Sequence, residues 1–179
     1  MASSTSTPPA PVQPGHRIGI EASGTTAALW RGAATDLLFL GELRLGLTPT
    51  WGLRFLAGIT PAGNGGVGVF ETQLQAGAGY RFVFTNQFDL EVALLLGALW
   101  HRYTVDDPTA LDRKGNRFDF LATLPVLFTW RPLPWLGLAL RIAPGFSEEA
   151  RAHTLASQTV WRREAYRIEA GASLVLRFR

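Results

Sequence analysis

Alternation of polar and apolar side chains with a period of two residues runs through most of this sequence and constrains its fold more than any other feature. From His16 onward, turn residues interrupt the alternation, whereas no amphipathic pattern of period 3.6 persists. The longest apolar run, Val92 to Trp100, covers nine residues. A membrane-spanning helix needs about 20 residues, whereas a tilted transmembrane strand needs about 9 to 11. The sequence therefore predicts an all-β chain.

Eight strands account for the alternation. We predict them near residues 16–30, 36–47, 51–60, 69–82, 88–104, 117–131, 135–146 and 163–179. Tight connections follow strands two, four and six, and longer ones are expected at 31–35, 61–68, 105–116 and 147–162. Transmembrane barrels have short periplasmic turns and long extracellular loops. The pattern predicts an eight-stranded antiparallel up-and-down transmembrane β-barrel with both termini on the periplasmic side.

The charged side chains of every predicted strand fall on one face. Glycines such as Gly77, Gly97 and Gly171 share this face, and small residues suit the narrow bore of an eight-stranded barrel. We therefore expect the charged face to point inward. Arginine suits a buried network because its planar guanidinium binds two carboxylate oxygens and stays charged. The expected interior ion-pair network consists of Arg17, Glu21, Glu42, Arg44, Arg54, Glu71, Arg81, Asp89, Glu91, Asp119, Arg131, Arg141, Arg167, Glu169 and Arg177.

The opposite face is apolar and rich in aromatic rings, whose volume exceeds what so narrow a bore can hold. An outward apolar face suits lipid, with aromatic residues near the strand ends. Barrel closure follows, because an open sheet edge in hydrocarbon leaves backbone groups unpaired. The expected lipid-facing aromatics are Trp51, Phe55, Phe70, Phe82, Phe88, Trp100, Phe118, Phe120, Phe128, Trp130 and Phe178.

Composition narrows the function further. The net charge is +3, but the sixteen Arg and the single Lys form no basic block, so nucleic-acid binding is not expected. The chain contains no Cys, which excludes a disulfide framework and a thiolate metal site.

The first fifteen residues differ from the rest of the chain. Residues 1–15 contain four Pro and a Ser/Thr cluster, which predicts a disordered tether before a barrel at 16–179. They lack the charged and apolar regions of a secretory signal. We therefore expect a leader or a periplasmic domain upstream of residue 1.

The last predicted strand carries the most motif-like segment, Glu169-Ala-Gly171-Ala-Ser-Leu174-Val-Leu176-Arg-Phe178. With this segment and its strand pattern, the chain resembles small eight-stranded bacterial outer-membrane β-barrels of the OmpA/OmpX type over residues 16–179. The resemblance implies a Gram-negative outer membrane, contact with its lipid, and recognition of the last strand by the outer-membrane assembly machinery. The family pattern commonly ends on the aromatic residue, whereas here Arg179 follows Phe178. We expect a monomer.

The three histidines give no zinc signature, because His16, His101 and His153 are far apart in sequence and none lies in an H-E-x-x-H pattern. The His-x-Ser pattern of lipid A deacylase barrels, which resemble this architecture, is also absent. Near the 147–162 loop, Ser157, His153 and Glu149 would together supply a Ser-His-acid set, but a solvated loop is the expectation.

Two loops remain as ligand candidates. The 106–116 loop offers oxygen ligands without EF-hand spacing, and 63–66 lacks the Lys-Ser/Thr of a P-loop. We expect no catalytic residue, no cofactor and no metal site.

The function that fits this pattern is a noncatalytic outer-membrane barrel acting as a membrane anchor or structural unit, with loop-mediated binding. Loop 147–162 is the first place to seek an extracellular partner, because it is long, mixed in charge and carries Trp161. One alternative is a narrow, porin-like channel for small or hydrophobic solutes. The other is a soluble lipocalin-like ligand-binding barrel, which also alternates but has its apolar side inside.

Overall fold

The computed structural model describes residues 19–32, 34–64, 66–106, 114–155 and 158–178, and they are arranged as β-strands and connections. Arg17 and the predicted tether at 1–15 lie outside the described residues. The strands are β1 (Gly19–Arg31), β2 (Ala34–Gly46), β3 (Trp51–Asn64), β4 (Val67–Val83), β5 (Phe88–Val105), β6 (Lys114–Thr123), β7 (Val126–Leu133), β8 (Leu136–Ser147), β9 (Arg151–Leu155), β10 (Gln158–Arg163) and β11 (Tyr166–Phe178).

Antiparallel pairing of neighbouring strands closes the sheet into a barrel. The ring runs from β1 through β5, continues through β6 and β7 to β8, and reaches β11, which pairs with β1 from Ile20–Phe178 to Trp30–Ile168. Closure leaves no free sheet edge in the ring, as a chain in hydrocarbon requires. The predicted eight-stranded up-and-down barrel is confirmed, with β6 and β7 together forming its sixth strand.

The sixth strand is interrupted, whereas the sequence predicted a continuous strand at 117–131. Pro125 has no N–H to contribute to the ladder, which explains the break. The neighbouring strands fill the gap: the N–H of Ala93 donates to the Pro125 carbonyl and the N–H of Leu124 to the Pro144 carbonyl, each at 2.9 Å. The ring therefore stays closed.

Two of the predicted long loops are wrong. Strands β1 and β2 are separated by two residues, and so are β3 and β4, because alternation continues through segments that were assigned to loops. Gly32, between β1 and β2, has a φ of 73°, a left-handed conformation that favours glycine. The β5–β6 and β8–β11 connections are longer. We call this end of the barrel the loop end, and the opposite end, with the tight turns at Thr48 and Thr85, the turn end.

Inward glycines lie where neighbouring strands approach closely. A Cβ on Gly77 would lie 1.8 Å from the Leu94 carbonyl oxygen, and one on Gly97 would lie 1.9 Å from that of Leu74. Alanine cannot occupy either position without moving β4 and β5 apart. The crowding inferred from the sequence therefore includes crowding by backbone as well as by side chains.

The outside of the barrel is apolar. Large side chains such as Leu74, Leu140 and Phe118 are 60%, 65% and 68% exposed. Because the charged side chains of the ring point inward except at the loop end, the soluble lipocalin-like alternative, which requires an apolar interior and a polar exterior, is wrong. Among the described residues, no helix is long and apolar enough to cross a membrane.

Candidate functional site

The bore at the turn end is filled by a cluster of ion pairs around Glu21. Its carboxylate is contacted by Arg81 at 2.5 Å, Arg177 at 2.7 Å and Arg131 at 3.2 Å. Asp89 pairs with Arg131 and, at 3.5 Å, with Arg81. Strands β1, β4, β5, β7 and β11 each contribute a side chain, so the cluster links walls of the barrel that share no backbone hydrogen bonds.

The cluster continues to mid-height through Glu91, which lies 2.6 Å from Arg54 and 2.9 Å from both Arg44 and Arg81. Arg54 also pairs with Glu42. The remaining contacts are Arg141 with Glu42 at 3.1 Å, Arg141 with Glu169 at 2.8 Å and Arg167 with Glu169 at 2.9 Å. We call these residues, together with Glu21, Arg81, Asp89, Arg131 and Arg177 at the turn end, the bore network.

Every described member of the predicted network forms at least one ion pair, and all are buried except Arg177 at the turn end, which is partly exposed. The interior is less uniformly polar than expected. Apolar side chains pack inward beside the ion pairs, including Leu29, Leu38, Leu56 and Leu95. These leucines occupy the inward phase of their strands and shield the ion pairs from water.

A second cluster closes the loop end, and its centre is Glu71 on β4, 1% exposed. The carboxylate pairs with Arg31, with Arg163 at 2.9 Å and with His101 Nδ1 at 3.0 Å. Arg31 also pairs with Asp36. We call this set, together with Asp119 and its partners, the mouth cluster.

The β9–β10 hairpin folds down onto the mouth cluster. Arg163, the last residue of β10, lies 2.6 Å from Asp119, and Arg151 on β9 pairs with the same carboxylate. Trp161 on β10 is 6% exposed and packs against Val67 and Val69. The hairpin therefore caps the loop end of the bore with buried polar and aromatic contacts.

Two histidines distant in sequence meet under this cap. The Nε2 atoms of His101 and His153 lie 2.9 Å apart, the ring centroids lie 5.2 Å apart, and the planes differ by 9°. The rings therefore meet end to end, as in an N–H···N hydrogen bond. Zinc ligands must point their nitrogen lone pairs at one common ion, whereas these two nitrogens point at each other. Within the described chain, no group of three or more metal-ligating side chains occurs.

Burial, together with the neighbouring His101, Arg117 and Arg151, lowers the pKa of His153 to about 4, and burial is the largest cause. His153 is therefore neutral at pH 7. A neutral ring can share a proton with His101, whereas two imidazolium rings would turn two N–H groups toward each other.

The predicted lipid-facing aromatics all lie on the outward face. Most are exposed, with Phe55, Phe82 and Trp51 at 43%, 46% and 51%, while Phe88 and Trp100 are half-buried by neighbours. Pairs such as Phe88–Phe128 and Trp100–Phe118 stack across strands with centroids 5.9 and 5.6 Å apart. Their contact with lipid stays a prediction.

The 147–162 loop differs from the sequence expectation, because Trp161 is not available at its surface. Arg162 remains exposed at 67% and pairs with Glu164 at 2.8 Å. Of the weighed Ser-His-acid set, Ser157 lies outside the described residues, His153 faces His101, and Glu149 pairs with Arg151 at 3.1 Å. Residues 107–113 of the 106–116 loop, the candidate source of oxygen ligands for calcium, also lie outside the described residues.

Sequence reasoning missed Arg31, Asp36, His101, Arg151 and Arg163 as members of the interior. Part of the signal was present: Arg31 is an even number of residues from Glu21, and so is Asp36 from Glu42. Extending the polar phase one residue beyond 16–30 would have found Arg31, and Asp36 was already on the polar phase as the first residue of the predicted strand 36–47. The hairpin contacts have no such signal.

A closed ring of eight antiparallel strands, with charges inside and apolar side chains outside, is the architecture of small transmembrane β-barrels. The chain has the OmpA/OmpX-type fold that its sequence resembles.

Solved structures of this fold include Neisserial surface protein A (NspA), with a TM-score of 0.64 and 10% identity over 90% of this chain and 97% of that chain. Ail, the attachment invasion locus protein of Yersinia pestis, has a TM-score of 0.55 and 12% identity, with the same coverages. A major outer membrane protein from Thermus thermophilus has a TM-score of 0.57 and 13% identity over 89% of this chain and 99% of that chain. No family model and no curated protein sequence matches the chain.

Proposed function

We propose that this chain is a noncatalytic barrel of a Gram-negative outer membrane, a membrane anchor or structural unit that presents an extracellular hairpin. The observation that carries the proposal is the bore network, whose ion pairs link opposite walls of the barrel. The apolar exterior supports placement in lipid, and the likeness in fold to outer-membrane proteins supports the choice of membrane.

The bore network favours a plug over a pore. Between Glu21, Glu42, Arg54 and Arg81 the free volume is about 10 Å³. A single water needs about that much space. A buried charge that loses its partner costs about 3 to 5 kcal/mol, so the network resists opening.

A noncatalytic role agrees with the contacts that the buried ionisable side chains make. Glu71, His101 and Asp119 contact arginines or another histidine, and none is directed at a serine hydroxyl of the described chain. A nucleophile needs a base within hydrogen-bond reach.

Planar-bilayer recording tests the plug with the full chain. We expect no discrete conductance from the wild type or from Arg162→Gln, an exposed control on the hairpin. Arg54→Ala and Arg141→Ala remove two arginines that both contact Glu42, and small conductance steps are expected only in these variants. Discrete steps from the wild type would overturn the plug.

A narrow channel is the second candidate, because the turn end opens into a cavity of about 530 Å³ lined by Glu21, Arg44, Asp89 and Arg131, among others. Charged rings of this kind select ions in known pores. If the chain is a channel, the wild type should show discrete conductance steps, and Arg54→Ala should change the size or the ion selectivity of these steps.

Extracellular binding through the 147–162 segment is the finer part of the proposal. Its exposed groups include Glu149 and Arg162, while Trp161 anchors the hairpin from below. One structure of the similar-fold protein Ail is a complex with the heparin analogue sucrose octasulfate. Replacing residues 152–160 with a short Gly/Ser segment should abolish capture of cells or matrix while the barrel still folds. Unchanged capture would overturn this part.

Folding in a membrane can be checked on a gel. A closed barrel in detergent should migrate differently before and after boiling. It should also insert into vesicles that contain the outer-membrane assembly machinery. We expect a monomer. Failure to partition into vesicles would overturn the membrane placement.

A further inference from the structure

The outward face of the ring strands is almost free of charge. Among the described residues it carries two charged side chains, Arg102 on β5 and Lys114 on β6. Both lie at the loop end of one ladder and on the same face, two pairs apart, since Arg102 pairs with Asn116 and Thr104 pairs with Lys114. Two cations placed together on an otherwise uncharged surface call for a specific explanation.

These two cations lie next to a pair of stacked aromatic rings on the same face. Trp100 and Phe118 stack with centroids 5.6 Å apart and planes 9° apart, and the Arg102 Cζ atom lies 5.3 Å from the Trp100 ring centroid. The indole N–H of Trp100 is buried, so the ring offers its apolar face, together with that of Phe118, beside the two cations. Aromatic rings of this kind are typical of the membrane interface in transmembrane barrels.

The same region forms a groove of about 630 Å³. Its wall includes Phe70 below and Thr104, Lys114 and Asn116 above, and Gly68 adds no side chain. Apolar groups therefore lie toward the middle of the barrel, with hydroxyl, amide and cationic groups toward its loop end. This order matches an amphiphile with an acidic headgroup.

We propose that Arg102, Thr104, Lys114 and Asn116, here named the rim patch, bind the phosphomonoester headgroup of a lipid in the leaflet at the loop end. The proposal rests on the proposed placement in the membrane. A phosphomonoester carries a charge of about −1.5 to −2 at pH 7, which two cations neutralise. Arginine adds a planar fork that holds two phosphate oxygens, while lysine acts as a point charge. A phosphodiester, with a single negative charge, needs only one of the two.

Lipid retention by the full-length protein tests the rim patch. The protein is reconstituted into phosphatidylcholine nanodiscs that contain a minor fraction of lipid A, extracted in mild detergent, and analysed for co-purifying lipid by mass spectrometry. A surface cation contributes about fivefold to the binding of acidic lipid, so the two together should enrich lipid A about 30-fold over its bulk fraction. Arg102→Gln combined with Lys114→Gln should abolish the enrichment, and Arg162→Gln should retain it.

Parallel samples distinguish the chemistry of the headgroup. Lipid A stripped of its phosphates keeps the acyl chains and should lose the enrichment, and phosphatidylglycerol, a phosphodiester, should be retained at most about fivefold. Equal retention of the stripped lipid, or full retention by the double variant, would overturn the proposal. Only protein that has inserted into the nanodisc and shifts its gel mobility on heating is analysed for lipid. A protein that never enters the nanodisc would therefore refute the membrane placement and not the rim patch.

Discussion

His101 and His153 share an end-to-end hydrogen bond between their Nε2 atoms, across 2.9 Å, although 52 positions separate them in the chain. His101 is fully buried on β5, with its Nδ1 on Glu71, and His153 belongs to the hairpin. Because a carboxylate only accepts, His101 Nδ1 carries a proton, and one proton is shared between the facing nitrogens. This pair ties the hairpin to the barrel wall.

Acid should loosen the hairpin. The folded pKa of His153 is lowered to about 4, below the ordinary 6.5, so between these values the released hairpin binds more protons than the docked one. Docking is strongest above pH 6.5 and weakens as pH falls from about 6.5 to about 4, with no further loss from this group below 4. Tyr103, Arg117, Arg151 and the Glu71-bound His101 surround the ring.

Limited proteolysis of the hairpin in detergent, measured between about pH 7.5 and 4, checks this expectation. Cleavage should accelerate on acidification in the wild type, and His153→Phe, which keeps an aromatic ring but cannot be protonated, should show a flatter profile. A wild-type profile without pH dependence would contradict it.

Arg163→Gln should destabilise the barrel strongly. It leaves Glu71 and Asp119, both buried, with one arginine partner fewer, at a cost of about 3 to 5 kcal/mol in the free energy of unfolding. Urea unfolding in lipid vesicles, followed by tryptophan fluorescence, measures it. The adjacent Arg162→Gln is the control, because an exposed ion pair contributes at most about 1 kcal/mol. Similar effects of the two substitutions would refute the assignment of Arg163 to the mouth cluster.

Gly97→Ala should weaken the β4–β5 ladder. The new methyl group would lie 1.9 Å from the Leu74 carbonyl oxygen, and such overpacking costs about 1 to 3 kcal/mol or more. Gly41→Ala adds the same methyl group on the outward face, where nothing lies within 4 Å. The temperature at which the folded gel band disappears should therefore fall for Gly97→Ala and stay unchanged for Gly41→Ala.

Leu96→Arg tests what the outward face touches. Leu96 lies midway along β5 and is 47% exposed, so in a bilayer an arginine there should cost about 2 to 4 kcal/mol. Thr35→Arg places the same charge on the outward face at the loop end, where the expected cost is about 0 to 1 kcal/mol. Equal unfolding free energies in vesicles for the two variants would indicate that β5 is not in hydrocarbon.

The strand faces could be predicted from sequence because a period of two residues encodes them directly. Glu42 and Arg44 alternate with Leu43, and the structure places the first two inside and the third outside. The ion-pair partners could not be predicted in this way. Arg81 on β4 reaches Glu21 on β1 across the bore, and that meeting depends on the tilt and stagger of strands that are not neighbours.

The mouth cluster was missed for a different reason. Arg163 and Trp161 lie in a segment whose short strands, β9 and β10, pair with each other and not with the ring. Its position depends on docking against Glu71, Asp119 and Val69, which no local pattern encodes. The strands were also predicted to end too early at the loop end, because Gly32 and Gly66 permit turns of two residues where longer loops were expected.

The separate pairing of β9 with β10 also bears on how such a molecule can diversify. Insertions or deletions near the hairpin tip need not shift any backbone partner of the ring, so the displayed sequence can change while the scaffold keeps its register. Selection for new surface specificity would then act on the tip, and the residues that seat its base would be held constant.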